Sequence, residues 1–261
     1  MDVTARFGEL ISGPEASLPL DELALLIAAH ARPGLDMPAE LQRLDDLATG
    51  VGAPTLDALR ARLFVELAFS GDRADYYDPR NSYLDQVMER RAGIPITLSV
   101  LMLEVGRRIG VPLAGVSMPG HFLVRDKVDP DVFVDPFDRG RVLDRRACEA
   151  RFRALHGPGA TFEPSFLEPV GARAIVARIL ANLDTIASAR SDRTMLEWVV
   201  RLRASLPGAP ADQHRRLASV LAASCRFDEA ARVLERLVPE EAPEAAAQDS
   251  AAARLLRARL N

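Results

Sequence analysis

The stretch Gly93 to Arg108, GIPITLSVLMLEVGRR, limits what this chain can fold into more than any other. Pro at a first helical position gives up no intrahelical hydrogen bond and has its φ already set, so Pro95 starts a helix. Ile96, Leu98, Val100, Leu101, Leu103 and Val105 follow with little polar interruption. A helix apolar on most faces must be covered on most faces. Arg107 and Arg108 suit the negative end of its dipole, and Gly110 before Val111 and Pro112 stops it. The period then changes. Ala114–Met118, His121–Arg125, Val132–Asp135 and Arg141–Leu143 are short β-prone runs separated by PG, DKVDPD and PFDRG turns. A central helix packed on such an antiparallel meander is an α+β fold.

Upstream, residues 1 to 70 read as helices that cover one side of this core. Leu20, Leu23, Leu26 and Ile27 form one apolar stripe, and Leu41, Leu44, Leu47 and Ala48 a second. Thr55 is placed to cap a third helix carrying Leu56, Leu59, Leu63 and Leu67. Residues 69 to 84 are rich in turn formers, and Pro79 excludes helix at Asp78. All three tyrosines of the chain, Tyr76, Tyr77 and Tyr83, fall here. They either pin the loop to the core or form a wall of a pocket. Asn81 or Ser82 is placed to cap the next helix.

Downstream, Asp144 caps a helix with Cys148, Phe152 and Leu155 on one face. The Gly/Pro-rich HGPGATFEPSF at 156 to 166 reads as the junction between a domain at 1–165 and an all-helical region at 166–261. That region carries helices over Ile175–Ala187, Thr194–Leu206, Asp212–Ser224 and Phe227–Leu237, then a frayed Ala/Arg-rich end. Short antiparallel pairs of this kind suggest tetratricopeptide-type packing.

Function classes narrow by composition. A formal charge of −4 gives no support to a nucleic-acid surface. No window approaches the roughly 20 apolar residues of a membrane span. The N-terminus lacks the apolar core of a signal peptide. Two distant cysteines, Cys148 and Cys225, argue against a disulfide framework and for a reducing, cytoplasmic setting. No motif calls for a cofactor. His121, Asp135 and Asp138 offer one nitrogen and two carboxylates, which is too little for a metal site without a spacing motif.

The chemistry concentrates on His121 and Asp135. His121 follows a Pro119-Gly120 turn at the start of a strand, and Asp135 ends the next one. Antiparallel pairing lets the two face each other, the carboxylate fixing tautomer and orientation of the ring as in a hydrolase triad. A structural His–Asp pair has the same appearance in sequence.

Asn81-Ser82-Tyr83-Leu84, Gly93-Ile94-Pro95-Ile96-Thr97-Leu98-Ser99, Pro119-Gly120-His121-Phe122-Leu123 and Asp135-Pro136-Phe137 together resemble the SirB-type family. The resemblance implies a transglutaminase-like, papain-like core followed by a tetratricopeptide-like region, with a regulatory role. In the wider superfamily the nucleophile sits in a Gly-x-Cys pattern at the N-terminus of the core helix, ahead of a Gly-Ile-Pro motif. Counting back from Gly110-Val111-Pro112 puts that slot on Gly93-Ile94-Pro95, with Pro95 at the nucleophile position. His121 and Asp135 fill the other two slots. Covalent acyl transfer needs a thiolate or an activated hydroxyl, and proline supplies neither. The expectation is therefore a binding or regulatory protein with a vestigial His121–Asp135 pair, recognising a protein, peptide or small ligand through Tyr77, Asn81, Ser82, Thr97 and His121, or through the helical region. The alternative is a hydrolase or acyltransferase in which Thr97, Ser99 or another hydroxyl works with His121 and Asp135. Cys148, on an apolar helix face, reads as a buried inert thiol.

Overall fold

A computed structural model describes residues 2–238 and 243–259. Contacts divide the chain into two compact units, Met1–Asn182 and Leu183–Asn261.

The first unit begins with helices α1 (Val3–Ile11), α2 (Leu20–Ala31), α3 (Met37–Thr49) and α4 (Leu56–Arg60), the last continued by a π-helical turn at Ala61–Glu66. Side-chain oxygens of Asp2, Asp36 and Thr55 cap α1, α3 and α4, each accepting a backbone N–H of the first turn. A short parallel pair, β1 (Ser70–Gly71) and β2 (Ala92–Gly93), flanks α5 (Leu84–Arg90). Asn81 and Ser82 do not cap α5. They lie in a 3-10 turn at Pro79–Ser82, and the cap position is occupied by Tyr83, whose side chain does not cap the first turn.

Helix α6 (Pro95–Arg108) is the centre. It is buried from Pro95 to Gly106 apart from Leu103, and it packs against α2, α3 and α5 on one side and the sheet on the other. Its C-terminal end is tied to α2 by Arg107 and Arg108, which donate to buried Asp21 at 3.1 and 2.7 Å. Here the basic last turn satisfies both the dipole and a specific carboxylate.

The sheet is formed by β3 (Leu113–Val116), β4 (Leu123–Asp126), β5 (Phe133–Asp135), β6 (Arg141–Leu143) and β7 (Pro169–Val170), in the antiparallel order β6-β5-β4-β3-β7. The meander matches the four β-prone runs. Strand β7 was not expected, and it pairs with β3 through Gly115 and Val170. Between β6 and β7 runs α7 (Arg145–His156), capped by Asp144 at 2.7 Å from the Ala147 N–H. Cys148 and Phe152 are buried on it, but Leu155 is half exposed. The connection at 156 to 166 folds inside the first unit rather than closing it at 165. Leu167 joins the Cys148–Phe152 cluster, β7 completes the sheet edge, and Ile175, Val176 and Ile179 of α8 (Ala172–Arg190) are buried. The division of the chain falls within α8.

In the second unit, α9 (Arg193–Ala204), α10 (Ala211–Ala223), α11 (Phe227–Leu237) and α12 (Pro243–Ala258) pack each against the next. Val200, Leu217, Leu221, Ala230, Leu234 and Ala253 form the core. Asp184 is buried and gripped from two sides by Arg203 and Arg216, the latter through both carboxylate oxygens at 2.5 Å. The Ala/Arg-rich end is not frayed over its described residues. It is α12, with Ala253 buried and Asp249 held by Arg215 at 3.0 Å. No helix among the described residues is long and apolar enough to cross a membrane.

Candidate functional site

The site is built on the turn between β3 and β4. The His121 N–H donates to the Met118 carbonyl at 3.0 Å, closing a turn around Gly120. Gly120 has φ +73°, a backbone conformation that favours glycine, and the exposed His156 ring lies against it. The turn leaves His121 just ahead of β4, not within it. Asp135 closes β5, the neighbouring strand, and its Oδ2 lies 2.9 Å from His121 Nε2. His121 is 5% exposed and Asp135 fully buried.

Asp135 is saturated. Its Oδ2 also meets the Arg151 guanidinium at 2.8 Å. Its Oδ1 accepts the N–H groups of Phe137 and Asp138 at 3.1 and 3.2 Å, capping a 3-10 turn at Pro136–Asp138. Burial disfavours the charged carboxylate, but the hydrogen bond and charge of His121, the charge of Arg151 and the Asp138 amide outweigh it. The carboxyl is held below its ordinary range. An ionised acceptor at Nε2 makes that nitrogen the donor and leaves Nδ1 as the ring's other nitrogen. Arg151 also bonds Asp138 at 3.0 Å, so a guanidinium bridges the two carboxylates.

Aromatic rings extend away from His121 in a row. Phe137 meets its ring edge-on at 6.1 Å, Tyr76 meets Phe137 at 6.0 Å, and Tyr77 meets Tyr76 at 5.2 Å. Arg73 lies 5.1 Å over the Phe137 ring. A Cβ on Gly71 would come to 2.3 Å from that ring, so β1 carries no side chain where Phe137 rests. Of the three tyrosines only Tyr83 is buried; Tyr76 and Tyr77 are exposed along this row.

The remaining candidate residues form a second group at the start of α6. Pro95 is buried at the first helical position. Thr97 Oγ1 donates to the carbonyls of Asn81 (2.5 Å) and Ile94 (3.2 Å), and Ser99 Oγ donates to the Pro95 carbonyl (2.8 Å). Asn81 is fully buried, donating to the Asp75 carbonyl and accepting from Arg90. Asn81 and Thr97 are thus brought together, but their polar atoms hold the loop to the helix. Ser82 Oγ is buried without a hydrogen-bond partner among the described residues. Burial, with Asp144 and Asp135 nearby, pushes the Cys148 thiol up to about 12. A thiol so far from ionisation is no nucleophile.

Arg151, Phe137 and Arg178 were not singled out in the sequence. Phe137 sits inside the Asp-Pro-Phe motif that carried the resemblance. Arg178 interrupts the apolar run Ile175-Val176-Ala177-Arg178-Ile179-Leu180, a charge where a buried helix face is otherwise apolar. Arg151 carried no comparable signal on a helix rich in arginine.

A family model described as the transglutaminase-like superfamily matches residues 18–181. A UPF0162 protein of Xylella fastidiosa is 41% identical over 200 residues, covering 72% of this chain and 71% of the relative. A UPF0162 protein of Vibrio cholerae is 38% identical over 138 residues, covering 52% of this chain and 50% of its own length. Human F-box only protein 21 is 42% identical over 103 residues, covering 36% of this chain and 16% of that protein. No solved structure matches the chain.

Proposed function

Because the chain belongs to the transglutaminase-like superfamily, we propose that it has kept the superfamily's cleft and lost its covalent chemistry, acting as a binding and regulatory protein. The observation that carries this is Pro95 at the start of the central helix, where the resemblance puts the nucleophile, in a chain that keeps a hydrogen-bonded His121–Asp135 pair. Nothing replaces the thiol nearby in sequence: Thr97 and Ser99 spend their hydroxyl protons on backbone carbonyls, and Cys148 is buried and far from ionisation. His121, and the exposed Tyr77 along the aromatic row, serve recognition in this reading. Asn81, Ser82 and Thr97 belong to the same reading as buried residues at the start of the central helix and the loop held to it.

Two finer parts belong to the same proposal. The chain is a SirB-type member, and the packed helices of the second unit are a tetratricopeptide-like surface for a protein or peptide partner. Consecutive helix pairs and an amphipathic FDEAARVLERL helix support the second part. A cytoplasmic location fits its two unpaired cysteines.

One observation favours a second reading. Ser82 Oγ is buried and has no hydrogen-bond partner among the described residues, so a hydrolase or acyltransferase using a hydroxyl would rest on Ser82, with His121 as base. Intact-mass measurement separates the two. After incubation with p-nitrophenyl acetate, the binding-protein reading expects the same acylation pattern in wild type and His121→Ala. An adduct on Ser82, Thr97 or Ser99 that requires His121 overturns it.

A further inference from the structure

Every buried carboxylate of the first unit faces an arginine: Asp21, Asp78, Asp85, Glu104 and Asp135 are all ion-paired. The converse fails at Arg178. This half-buried residue of α8 meets no carboxylate among the described residues. Its Nη1 spends both hydrogens on the chain, donating to Ser117 Oγ at 2.6 Å and to the Met118 carbonyl at 3.0 Å. The same carbonyl accepts the His121 N–H, so Arg178 is fixed to the turn that presents His121. Phe122 lies under the guanidinium at 5.7 Å. The Nε and Nη2 edge makes no hydrogen bond to the described residues. Burial draws the guanidinium below its usual range, and the Tyr76 phenol is the one group acting on it in the opposite sense. Arg178 in turn opposes the upward push of burial on Tyr76.

We infer that Arg178 is the anchor of an anion site beside His121, binding an organic carboxylate side-on through its Nε and Nη2. A guanidinium edge presents two parallel N–H groups spaced to match the two oxygens of a carboxylate. The opposite edge is already fixed, which removes most of the side-chain entropy that binding would otherwise cost. The surroundings select within anions. One cation, without a glycine-rich nest of amides or a second arginine on the ligand, suits a monoanion better than a phosphate dianion. Phe122 backs the charge with apolar surface, which suits a carboxylate carried on an organic group. The Nε and Nη2 edge is not among the buried unpaired atoms of the described residues, so it is open to a ligand while the opposite edge is fixed.

This inference rests on the reading of this face as a binding cleft, and its test has a separate readout. The Nε–H resonance of Arg178 in the full chain is followed by NMR while N-acetylphenylalanine is added. Its amide and inorganic phosphate serve as parallel probes. The expected result is a saturable shift with the carboxylate and none with the amide. Arg178→Gln should weaken binding by at least about tenfold, with Arg178→Lys intermediate, because lysine keeps the charge and loses the fork. No shift with the carboxylate, an equal shift with the amide, or tighter saturation by phosphate overturns the site. If Arg178→Gln does not fold, the wild-type titration alone decides. Loss of this site without His121-dependent turnover leaves the binding-protein reading standing. His121-dependent turnover removes that reading whatever the carboxylate does.

Discussion

Asp135→Ala puts the site's energetics to a quantitative test. The buried carboxylate accepts from His121 at 2.9 Å and Arg151 at 2.8 Å, and from two backbone amides at 3.1 and 3.2 Å. The bond to His121 is charge-assisted and shielded from water, worth about 2 kcal/mol. The two amides form a cap, worth about 1 kcal/mol. Arg151 is partly exposed and keeps Asp138, so its share is discounted to at most about 1 kcal/mol. Together the loss is about 4 kcal/mol, within the range for breaking a buried pair. Tyrosine fluorescence reads it cleanly, because all three tyrosines are in the first unit while the single tryptophan, Trp198, is in the second. With a urea slope of about 2 kcal/mol/M, the tyrosine midpoint should fall by roughly 2 M and the tryptophan signal by less. A second arm uses pH. A carboxyl held below its unfolded value stabilises the fold above that value, about 3.9, and loses the contribution as pH falls through the lower folded value. The gap between wild type and Asp135→Asn should therefore begin to close as pH falls below about 4. A midpoint shift under about 0.5 M for Asp135→Ala, or a gap that stays undiminished as pH falls well below about 4, would refute the assignment of a charged, saturated Asp135.

Three further outcomes follow from other parts of the site. Gly71→Ala pushes a methyl into the Phe137 ring and should cost about 1–3 kcal/mol in the tyrosine transition, with a shifted His121 side-chain NMR signal. Thr97→Val removes the buried donor to the Asn81 carbonyl and should cost about 1–2 kcal/mol by the same assay; an unchanged midpoint would show that this bond does not hold the loop. In a thiol titration of the native protein, exposed Cys225 should react quickly and buried Cys148 only after unfolding, so fast labelling of both contradicts the burial of Cys148.

Much of the core was legible because its signals are local. The near-unbroken apolar run from Ile96 to Val105 after Pro95 could only be a covered helix, and it is the buried centre of the first unit. The β-prone runs after Pro112 gave the meander, and Thr55 and Asp144 gave their caps. What stayed hidden depends on partners far along the chain. Strands β1, β2 and β7 are two residues long and carry no period; pairing alone defines them. Asn81 did not cap its helix because Asp75 and Arg90 offered its amide better-placed partners. The Ala-rich end reads as weakly apolar, yet alanines pack closely enough for α12 to bury Ala253 against its neighbours. At the site, His121 and Asp135 stood out as residue types with a known relation. Arg151 did not, because an arginine on a helix is ordinary until its carboxylate partners are seen.

The central claim is that a helix-starting proline has replaced the nucleophile and no other group has taken over its chemistry. The most direct measurement is steady-state release from fluorogenic peptide amides and esters, with and without an added primary amine, comparing wild type with a folded His121→Ala variant. The account predicts indistinguishable rates at background level for both. Turnover by wild type that His121→Ala abolishes would contradict it.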